Sequence, residues 1–120
     1  MRLAWESLES PIGPVLVAGH ETTVNLIGNG MLALLRNPAE LDRWRRDPSL
    51  DANAIDELLR YDGPVQHTVR VAMTPMSFGE GSQQIDVEPG TPVLTVLGAA
   101  NHDPAVFDDP HALRLDRPAE

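Results

Sequence analysis

An acid and an alcohol stand side by side, at Glu21 and Thr22, within a stretch of the chain that is otherwise mostly apolar. This stretch runs from 15 to 35, and it carries no charge between Glu21 and Arg36. A carboxylate inside an apolar element costs free energy unless it has a partner or a task. A neighbouring carboxyl and hydroxyl can pass protons to a bound ligand. The pair therefore marks a candidate site, and a polar patch that packs two helices together is the alternative interpretation.

The backbone around Thr22 can be predicted from the residue types. A threonine in a helix can donate a hydrogen bond to the carbonyl four residues earlier, here Ala18, and bend the helix at that point. Gly19 lies beside it and carries no side chain, so a ligand could approach the backbone closely. The sequence therefore predicts a local groove that is lined by a hydroxyl and flanked by a carboxylate.

Metal and hydrolase chemistry lack the motifs they need. His20 and Glu21 could begin a zinc-protease motif, but the second histidine would have to stand at position 24, which is Val24. None of the four histidines, at 20, 67, 102 and 111, has metal-site spacing. A hydrolase that pairs Glu21 or Asp56 with a histidine has no nucleophile motif to support it.

A second acid, Glu57, stands three residues before Arg60 on a predicted helix, so the two side chains are neighbours. On a protein surface such a pair contributes little, about 0.2–1 kcal/mol. The flanking Ile55, Leu58 and Leu59 are apolar, which indicates partial burial. A buried arginine–carboxylate fork would contribute more.

Arg70 is the one cation on a predicted strand in which Val65, His67 and Val69 alternate with polar residues. Two interpretations remain open for it. It is either an exposed surface residue or an anchor for an anionic group of a ligand.

Three helices must position these residues. The apolar stretch predicts a helix from Pro14 to Arg36, because Pro14 is a good first helical residue and Pro38 disfavours continuation. A short helix follows over 38–46. A third helix over 54–61 is predicted, with Asp51 or Asn53 as its cap.

The second half of the chain changes period. Alternation predicts a strand from Val65, and weaker strands are predicted over 83–87 and 92–97, separated by glycine-rich turns. After Gly98 the chain is predicted to be irregular. Helices followed by a small antiparallel sheet and a long meander give an α+β class that is mainly helical.

Composition limits the possible partners. The chain has 120 residues and a formal net charge of −9, which argues against nucleic acid or an anionic membrane as the main partner. It has no cysteine, so no disulfide and no thiolate metal site is expected within it. The first residues lack the apolar core of a signal peptide, which favours a cytoplasmic location. Glu21 and two asparagines make the 15–35 stretch a poor membrane span.

Four motifs, in order over 15–118, together resemble one family, the soluble bacterial cytochromes P450. The resemblance rests on the Ala18–Thr23 sequence AGHETT, on the Glu57–Arg60 sequence ELLR, on Arg70 shortly after Pro64 and Val65, and on the 100–117 segment. That segment contains Ala100-Asn101-His102-Asp103-Pro104, Val106-Phe107 and Asp116-Arg117.

The resemblance implies a haem b cofactor against the first helix. Ala18, Gly19 and Thr22 would line the distal face of the haem. Thr22 would also hydrogen-bond the bound dioxygen, and Glu21 would feed the relay that brings protons to it. Arg70 would pair with a haem propionate.

The resemblance also implies further partners. Val65 would border the pocket of a small apolar substrate, and Glu57, Arg60 and Arg117 would form a buried ion network on the proximal side. Oxygen would come from O2, and electrons from NAD(P)H through a ferredoxin-type donor. The implied activity is that of a haem monooxygenase that hydroxylates an apolar small molecule.

Two departures from the family shape the expectation for this chain. The axial thiolate of the family lies beyond the meander, and no cysteine is present here. The helices that cover the haem in the family have no counterpart before the motif, where residues 1–13 form a leader of uncertain structure. We therefore expect residues 14–120 to be a partial cytochrome P450 domain that is inactive in isolation. The alternatives are a non-enzymatic helical interaction module and a pseudogene remnant.

Overall fold

The computed structural model describes residues 12–118, and it places three helices before four short strands. Helix α1 is Ile12–Arg36, α2 is Pro38–Arg46 and α3 is Asp51–Asp62. The strands are β1 at Thr68–Val71, β2 at Met76–Phe78, β3 at Ile85–Val87 and β4 at Pro92–Thr95. This order confirms the predicted α+β class.

Helix α1 begins at Ile12, two residues before the predicted start at Pro14. The first N–H groups of a helix have no intrahelical partner, so a proline in the first turn sacrifices no hydrogen bond. The helix ends at Arg36 as predicted. Asn37 follows, and its side-chain Nδ2 donates to the Ala33 carbonyl over 2.9 Å. Residues 1–11 of the leader lie outside the described residues.

Helix α1 is covered along one side only by the described part of the chain. Among the residues of this helix whose burial is described, Gly30, Ala33 and Leu34 are the buried ones, and they face α3 and the core. Its remaining large apolar side chains are exposed, among them Val15, Leu16, Val24, Ile27, Met31, Leu32 and Leu35. Helix α1 is therefore held by one narrow stripe, and most of its apolar surface meets no described residue.

Helix α3 begins at Asp51 and not at Ala54, because a single 3₁₀ turn at Pro48–Leu50 leads directly into it. The predicted cap at Asp51 or Asn53 is therefore wrong. Asp51 is already helical, and its Oδ1 accepts a hydrogen bond from Trp44 Nε1 over 2.8 Å. This bond ties α2 to the start of α3. Helix α2 itself has the predicted bounds.

A small core lies between the helices and the end of the chain. Its buried members are Ala33, Leu34, Ala54, Leu58, Leu113 and Leu115. Gly30 allows close packing here, because a methyl group at this position would lie 3.3 Å from Leu58 Cδ1. The two long helices are also joined by Asn29 Nδ2, which donates to the Asp62 carbonyl over 3.1 Å.

The strands form two separate antiparallel pairs where one small sheet was predicted. Strand β1 pairs with β4, with Arg70 opposite Val93, and β2 pairs with β3. The sequence did not predict β2, which is only three residues long. Gly79 and Gly81, in the connection between β2 and β3, have φ values of 78° and 56°, which glycine adopts without strain.

The segment after β4 contains one short helix that was not predicted, α4 at Leu97–Ala100. The remaining residues, 101–117, are irregular as predicted, and we call them the meander. Asp109 there has a φ of 49°, a left-handed conformation that aspartate tolerates better than most residues. No helix among the described residues has the length and apolarity needed to cross a bilayer.

Candidate functional site

Two neighbouring threonines of α1 bond to neighbouring carbonyls. Thr22 Oγ1 donates to the Ala18 carbonyl over 2.6 Å, which is the bond that the sequence predicted. Thr23 Oγ1 donates to the Gly19 carbonyl over 2.9 Å. A hydroxyl that donates to a carbonyl keeps its lone pairs, so the Thr22 oxygen can still accept a hydrogen bond from a ligand.

The backbone beside Thr22 is open. A methyl group built on Gly19 would meet no atom within 4 Å, so a flat ligand could lie directly against the helix at this point. Glu21 is exposed, and Thr22 is half-buried. The arrangement therefore offers a hydroxyl at an open stretch of helix, next to a solvent-exposed carboxyl.

Arg70 and Val65 are both exposed. The Arg70 guanidinium is held near its own strand, where Nη1 contacts Thr68 Oγ1 and donates to the Val69 carbonyl over 3.0 Å. None of the ion pairs between described residues includes Arg70, so its charge is available to an anionic group. No hydrogen bond among those residues joins Arg70 to α1.

A buried ion network joins α3 to the meander. The Glu57 side chain is 2% exposed. One edge of the Arg60 guanidinium donates two parallel hydrogen bonds to it, from Nε to Oε2 over 2.7 Å and from Nη2 to Oε1 over 2.9 Å. Arg117 Nε donates to Oε2 over 3.0 Å. The backbone N–H of Arg114 donates to Oε1 over 2.9 Å. One carboxylate thus receives four hydrogen bonds.

The same two guanidiniums satisfy the backbone of the meander. Arg60 donates from Nη1 and Nη2, and Arg117 does likewise, to carbonyl groups that have no strand or helix partner. These carbonyls belong to Asn101, Asp108, Asp109, Pro110 and Ala112. An irregular segment lacks the backbone partners that a helix or strand provides, and the two arginines supply partners for these five carbonyls.

The electrostatics of Glu57 follow from these contacts. Burial by itself would raise the pKa of the Glu57 carboxyl, but the hydrogen bonds from Arg60, Arg114 and Arg117 and the charge of Arg60 outweigh it. The net effect is a pKa below the usual 4.5. Glu57 is therefore ionised at neutral pH.

Two contacts of the meander were missed by sequence reasoning. The ring of Phe107 lies beneath both arginines, with its centroid 5.2 Å from Arg60 Cζ and 5.8 Å from Arg117 Cζ. Glu40 of α2 reaches the meander and accepts from the Leu115 N–H over 2.9 Å. Both contacts depend on the path of the meander, which has no regular spacing of apolar residues. The sequence therefore gives no signal from which they could be predicted. An open pocket of about 370 Å³ adjoins Phe107 and the network.

No cluster of three or more histidine or acidic side chains suited to a metal ion occurs among residues 12–118. The whole sequence contains no cysteine. The network carboxylate Glu57 is fully engaged by arginines, so it offers no free oxygen for metal binding.

Comparison with protein families identifies relatives of the chain. A family model described as Cytochrome P450 matches residues 48–120. The chain is 46% identical over 111 residues to a putative cytochrome P450 140 of Mycobacterium tuberculosis, covering 92% of this chain and 24% of that protein. It is 40% identical over 116 residues to a biotin biosynthesis cytochrome P450 of Bacillus subtilis, covering 97% of this chain and 28% of the relative.

Solved structures agree with the sequence relatives. The tirandamycin C-bound P450 monooxygenase TamI superposes with a TM-score of 0.83 and 39% identity, over 91% of this chain and 27% of that one. P450BioI, solved in complex with an acyl carrier protein ligated to hexadec-9Z-enoic acid, gives a TM-score of 0.77 and 40% identity. That match covers 87% of this chain and 26% of P450BioI. The chain spans about a quarter of the length of the curated relatives it matches, and its fold is the corresponding part of theirs.

Proposed function

The chain belongs to the cytochrome P450 family, and from that premise we propose that it forms part of a haem-dependent monooxygenase that hydroxylates a small apolar molecule. The observation that carries the proposal is the Thr22 hydroxyl, bonded to the Ala18 carbonyl over 2.6 Å beside the open backbone of Gly19. Small side chains beside a hydroxyl leave room for the face of a flat ring against the helix.

The residues present fit one face of a haem. Ala18 and Gly19 are small, and the space above Gly19 is free of atoms within 4 Å. The exposed guanidinium of Arg70, which forms no ion pair with another described residue, suits a propionate. Haem supplies the iron at which dioxygen is activated. In the proposed site Ala18, Gly19 and Thr22 would hold one face of the haem, and Arg70 would bind a propionate.

In this proposal Thr22 and Glu21 have different roles in proton delivery. The Thr22 hydroxyl donates its hydrogen bond to the Ala18 carbonyl. Its oxygen can therefore accept a hydrogen bond from a water molecule and hold that water at the open side of the helix. Glu21 is exposed, so it can take protons from solvent and pass them to that water. Val65 is apolar and exposed, and it forms part of the wall for an apolar substrate.

The Glu57–Arg60–Arg117 network has a different task. Its carboxylate and guanidiniums make their hydrogen bonds to one another and to backbone groups, so they have little capacity to bind a substrate. We assign it to bracing the proximal side, where the meander must be fixed relative to α3. Electrons from NAD(P)H through a ferredoxin-type donor, and a cytoplasmic location, complete the proposal.

The 120 residues carry no cysteine, and the thiolate is what favours cleavage of the O–O bond in this family. We therefore expect the isolated chain to be inactive. Purified chain mixed with haem and reductant, then exposed to carbon monoxide, should lack the thiolate Soret band. Appearance of that band would refute this expectation.

A segment exchange tests the proposed function. The corresponding quarter of the Xylella fastidiosa protein named putative cytochrome P450 133B2, which is 47% identical over 117 residues, is replaced by this chain. The hybrid should bind haem, show the thiolate band with carbon monoxide and consume NAD(P)H. A hybrid that folds with the circular dichroism of its parent but does not bind haem would contradict the proposal.

One observation favours a second candidate, a helical module that pairs with another protein chain. Most of the apolar surface of α1 is exposed, with Val15 at 71% and Leu16 at 68%. Such a module would give a cooperative melt and a defined oligomer without haem. The segment exchange separates the two, because a pairing module gives no haem-binding hybrid.

A further inference from the structure

The in-plane edges of the two network guanidiniums are almost fully used. Arginine has five N–H donors, and Arg60 makes five hydrogen bonds, two to Glu57 and three to carbonyls. Arg117 makes four, from Nε, Nη1 and Nη2. Apart from one Nη1–H of Arg117, what remains available on each group is the flat face, which cannot donate a hydrogen bond.

The network also has unbalanced charge. Two guanidiniums face one carboxylate, and Glu57 is the only carboxylate paired with either arginine in the described part of the chain. The side chains of Arg60 and Arg117 are only 7% and 9% exposed, so water screens the surplus positive charge poorly. Six hydrogen bonds from the two arginines to backbone carbonyls compensate part of this surplus, and a group of negative potential would compensate more of it.

The ring of Phe107 stands where such a group is needed. Both guanidinium carbons lie within 6 Å of its centroid, at 5.2 Å for Arg60 and 5.8 Å for Arg117. The face of an aromatic ring carries negative electrostatic potential and attracts cations at this distance. One half-buried side chain therefore contacts both arginines of the network.

We infer that Phe107 is a positioning residue, whose ring holds the Arg60 and Arg117 guanidiniums against Glu57 through a shared cation–π contact. The contact supplies electrostatic compensation as well as apolar volume, so an aliphatic side chain of similar size cannot replace it. The inference concerns the network alone and does not depend on haem binding.

Two variants of the chain separate electrostatics from volume. Phe107→Leu keeps an apolar side chain and removes the ring, whereas Phe107→Tyr keeps the ring. Exchange of the Nε protons of Arg60 and Arg117 is followed by ¹⁵N NMR, since both protons are bonded to Glu57. We expect exchange to be roughly 3- to 30-fold faster in Phe107→Leu, the range expected for loss of a cation–π contact, and close to wild type in Phe107→Tyr.

A second readout is the carboxyl carbon of Glu57. Loosened arginines stabilise its charge less, so its pKa should rise toward the usual value in Phe107→Leu and stay low in Phe107→Tyr. A side chain that only filled space would leave the Glu57 pKa unchanged in a folded Phe107→Leu variant. That result, with unchanged Nε exchange, would overturn the inference.

Fluorinated phenylalanine at position 107 keeps the test valid if Phe107→Leu fails to fold. Successive fluorine atoms weaken the negative face of the ring and keep its shape. The chain has two phenylalanines, so the series is made in a Phe78→Leu background, where Phe78 is an exposed strand residue. Exchange rates that increase with fluorine number support the inference, and equal rates across the series overturn it.

Discussion

At Glu57 a single buried carboxylate pairs with two guanidiniums, and the free energy of unfolding depends on those pairs. Removal of one partner of a buried ion pair leaves an uncompensated charge in a region of low dielectric, which costs about 3–5 kcal/mol. The side chains of Glu57, Arg60 and Arg117 are all less than 10% exposed. Surface pairs of this chain, such as Arg46 with Asp42, are mostly exposed and contribute little.

Glu57→Gln should therefore lower the free energy of unfolding by about 3–5 kcal/mol, since the amide keeps the shape of the side chain and loses its charge. Denaturant unfolding followed by circular dichroism measures the change. Asp56→Asn is the matched control, because Asp56 precedes Glu57 on α3 and is exposed. Equal effects of the two substitutions would contradict the role assigned to the network.

Glu57 also predicts how stability depends on pH. Its pKa in the folded chain is depressed below 4.5, so the unfolded chain binds the proton more readily. The stability that Glu57 contributes is therefore present above about pH 4.5 and is lost as the pH falls through the folded value. Unfolding measured from pH 6 downward should show this loss in wild type and much less of it in Glu57→Gln. A parallel pH dependence in both proteins would contradict the prediction.

Single residues of the site differ in how far the sequence could predict them. Glu57 and Arg60 are three apart on one helix, so their contact follows from spacing. Arg117 lies 60 residues from Glu57, and only the family resemblance indicated it. Phe107 could not be assigned a contact, because its position depends on the irregular path of the meander.

At the scale of elements, α1 and α3 are joined by a narrow contact. The close approach of Gly30 to Leu58 and the bond from Asn29 to the Asp62 carbonyl are its main features. Position 29 is seven residues after Thr22, two helical turns along the same face. Since Val65 follows soon after Asp62, the Asn29 bond fixes the proposed substrate wall relative to the helix that carries Thr22.

Asn29→Ala should lower the free energy of unfolding by about 1 kcal/mol relative to Asn25→Ala. Both changes gain helix propensity by the same amount, and only the first loses a bond between helices. Thermal and denaturant unfolding of the two variants gives the difference. If Asn25→Ala proved as destabilising as Asn29→Ala, the Asn29 bond would contribute nothing.

Element type was predicted better than element ends. Proline and charge patterning defined α2 correctly, because Pro38 begins it and Asp47 and Pro48 end it. The predicted start of α3 was three residues late, because the 3₁₀ turn at Pro48–Leu50 leads directly into a helix that begins at Asp51. Strand β2 was missed because three residues are too few for alternation to be visible.

At the scale of the whole molecule, the chain has more surface than its mass requires. Its accessible surface is 9270 Å² for 13.1 kDa. The usual relation between surface and mass gives roughly 6,400 Å². The sequence has apolar residues on every side of α1, and the described part of the chain leaves much of that surface exposed. It could not indicate which face α3 would cover, since the periodicity of α1 favours no single stripe.

The exposed face of α1 should make the isolated chain associate. Replacing Ile27 and Leu35 by glutamine should reduce association, because these residues are 65% and 63% exposed on one helix face. Sedimentation velocity over a range of concentrations measures it. Glutamine at Met73 and Ile85, which are exposed outside α1, is the control. Equal effects of the two double variants would show that α1 has no special part in association.

The central claim is that the Thr22 hydroxyl holds the water that delivers protons at an oxygen-activating site. The most direct test is the coupling of NAD(P)H consumption to product formation in the segment-exchange hybrid. Hydrogen peroxide released per NAD(P)H consumed is compared in Thr22→Ala, Thr22→Ser and Thr23→Ala. Thr22→Ala should release most of its electrons as peroxide and lose roughly 10²-fold in product formation, and Thr22→Ser should retain coupling. Thr23→Ala, which loses an equivalent bond to the backbone, should stay close to the unsubstituted hybrid. Full coupling in Thr22→Ala, or equal uncoupling in Thr23→Ala, would contradict the claim.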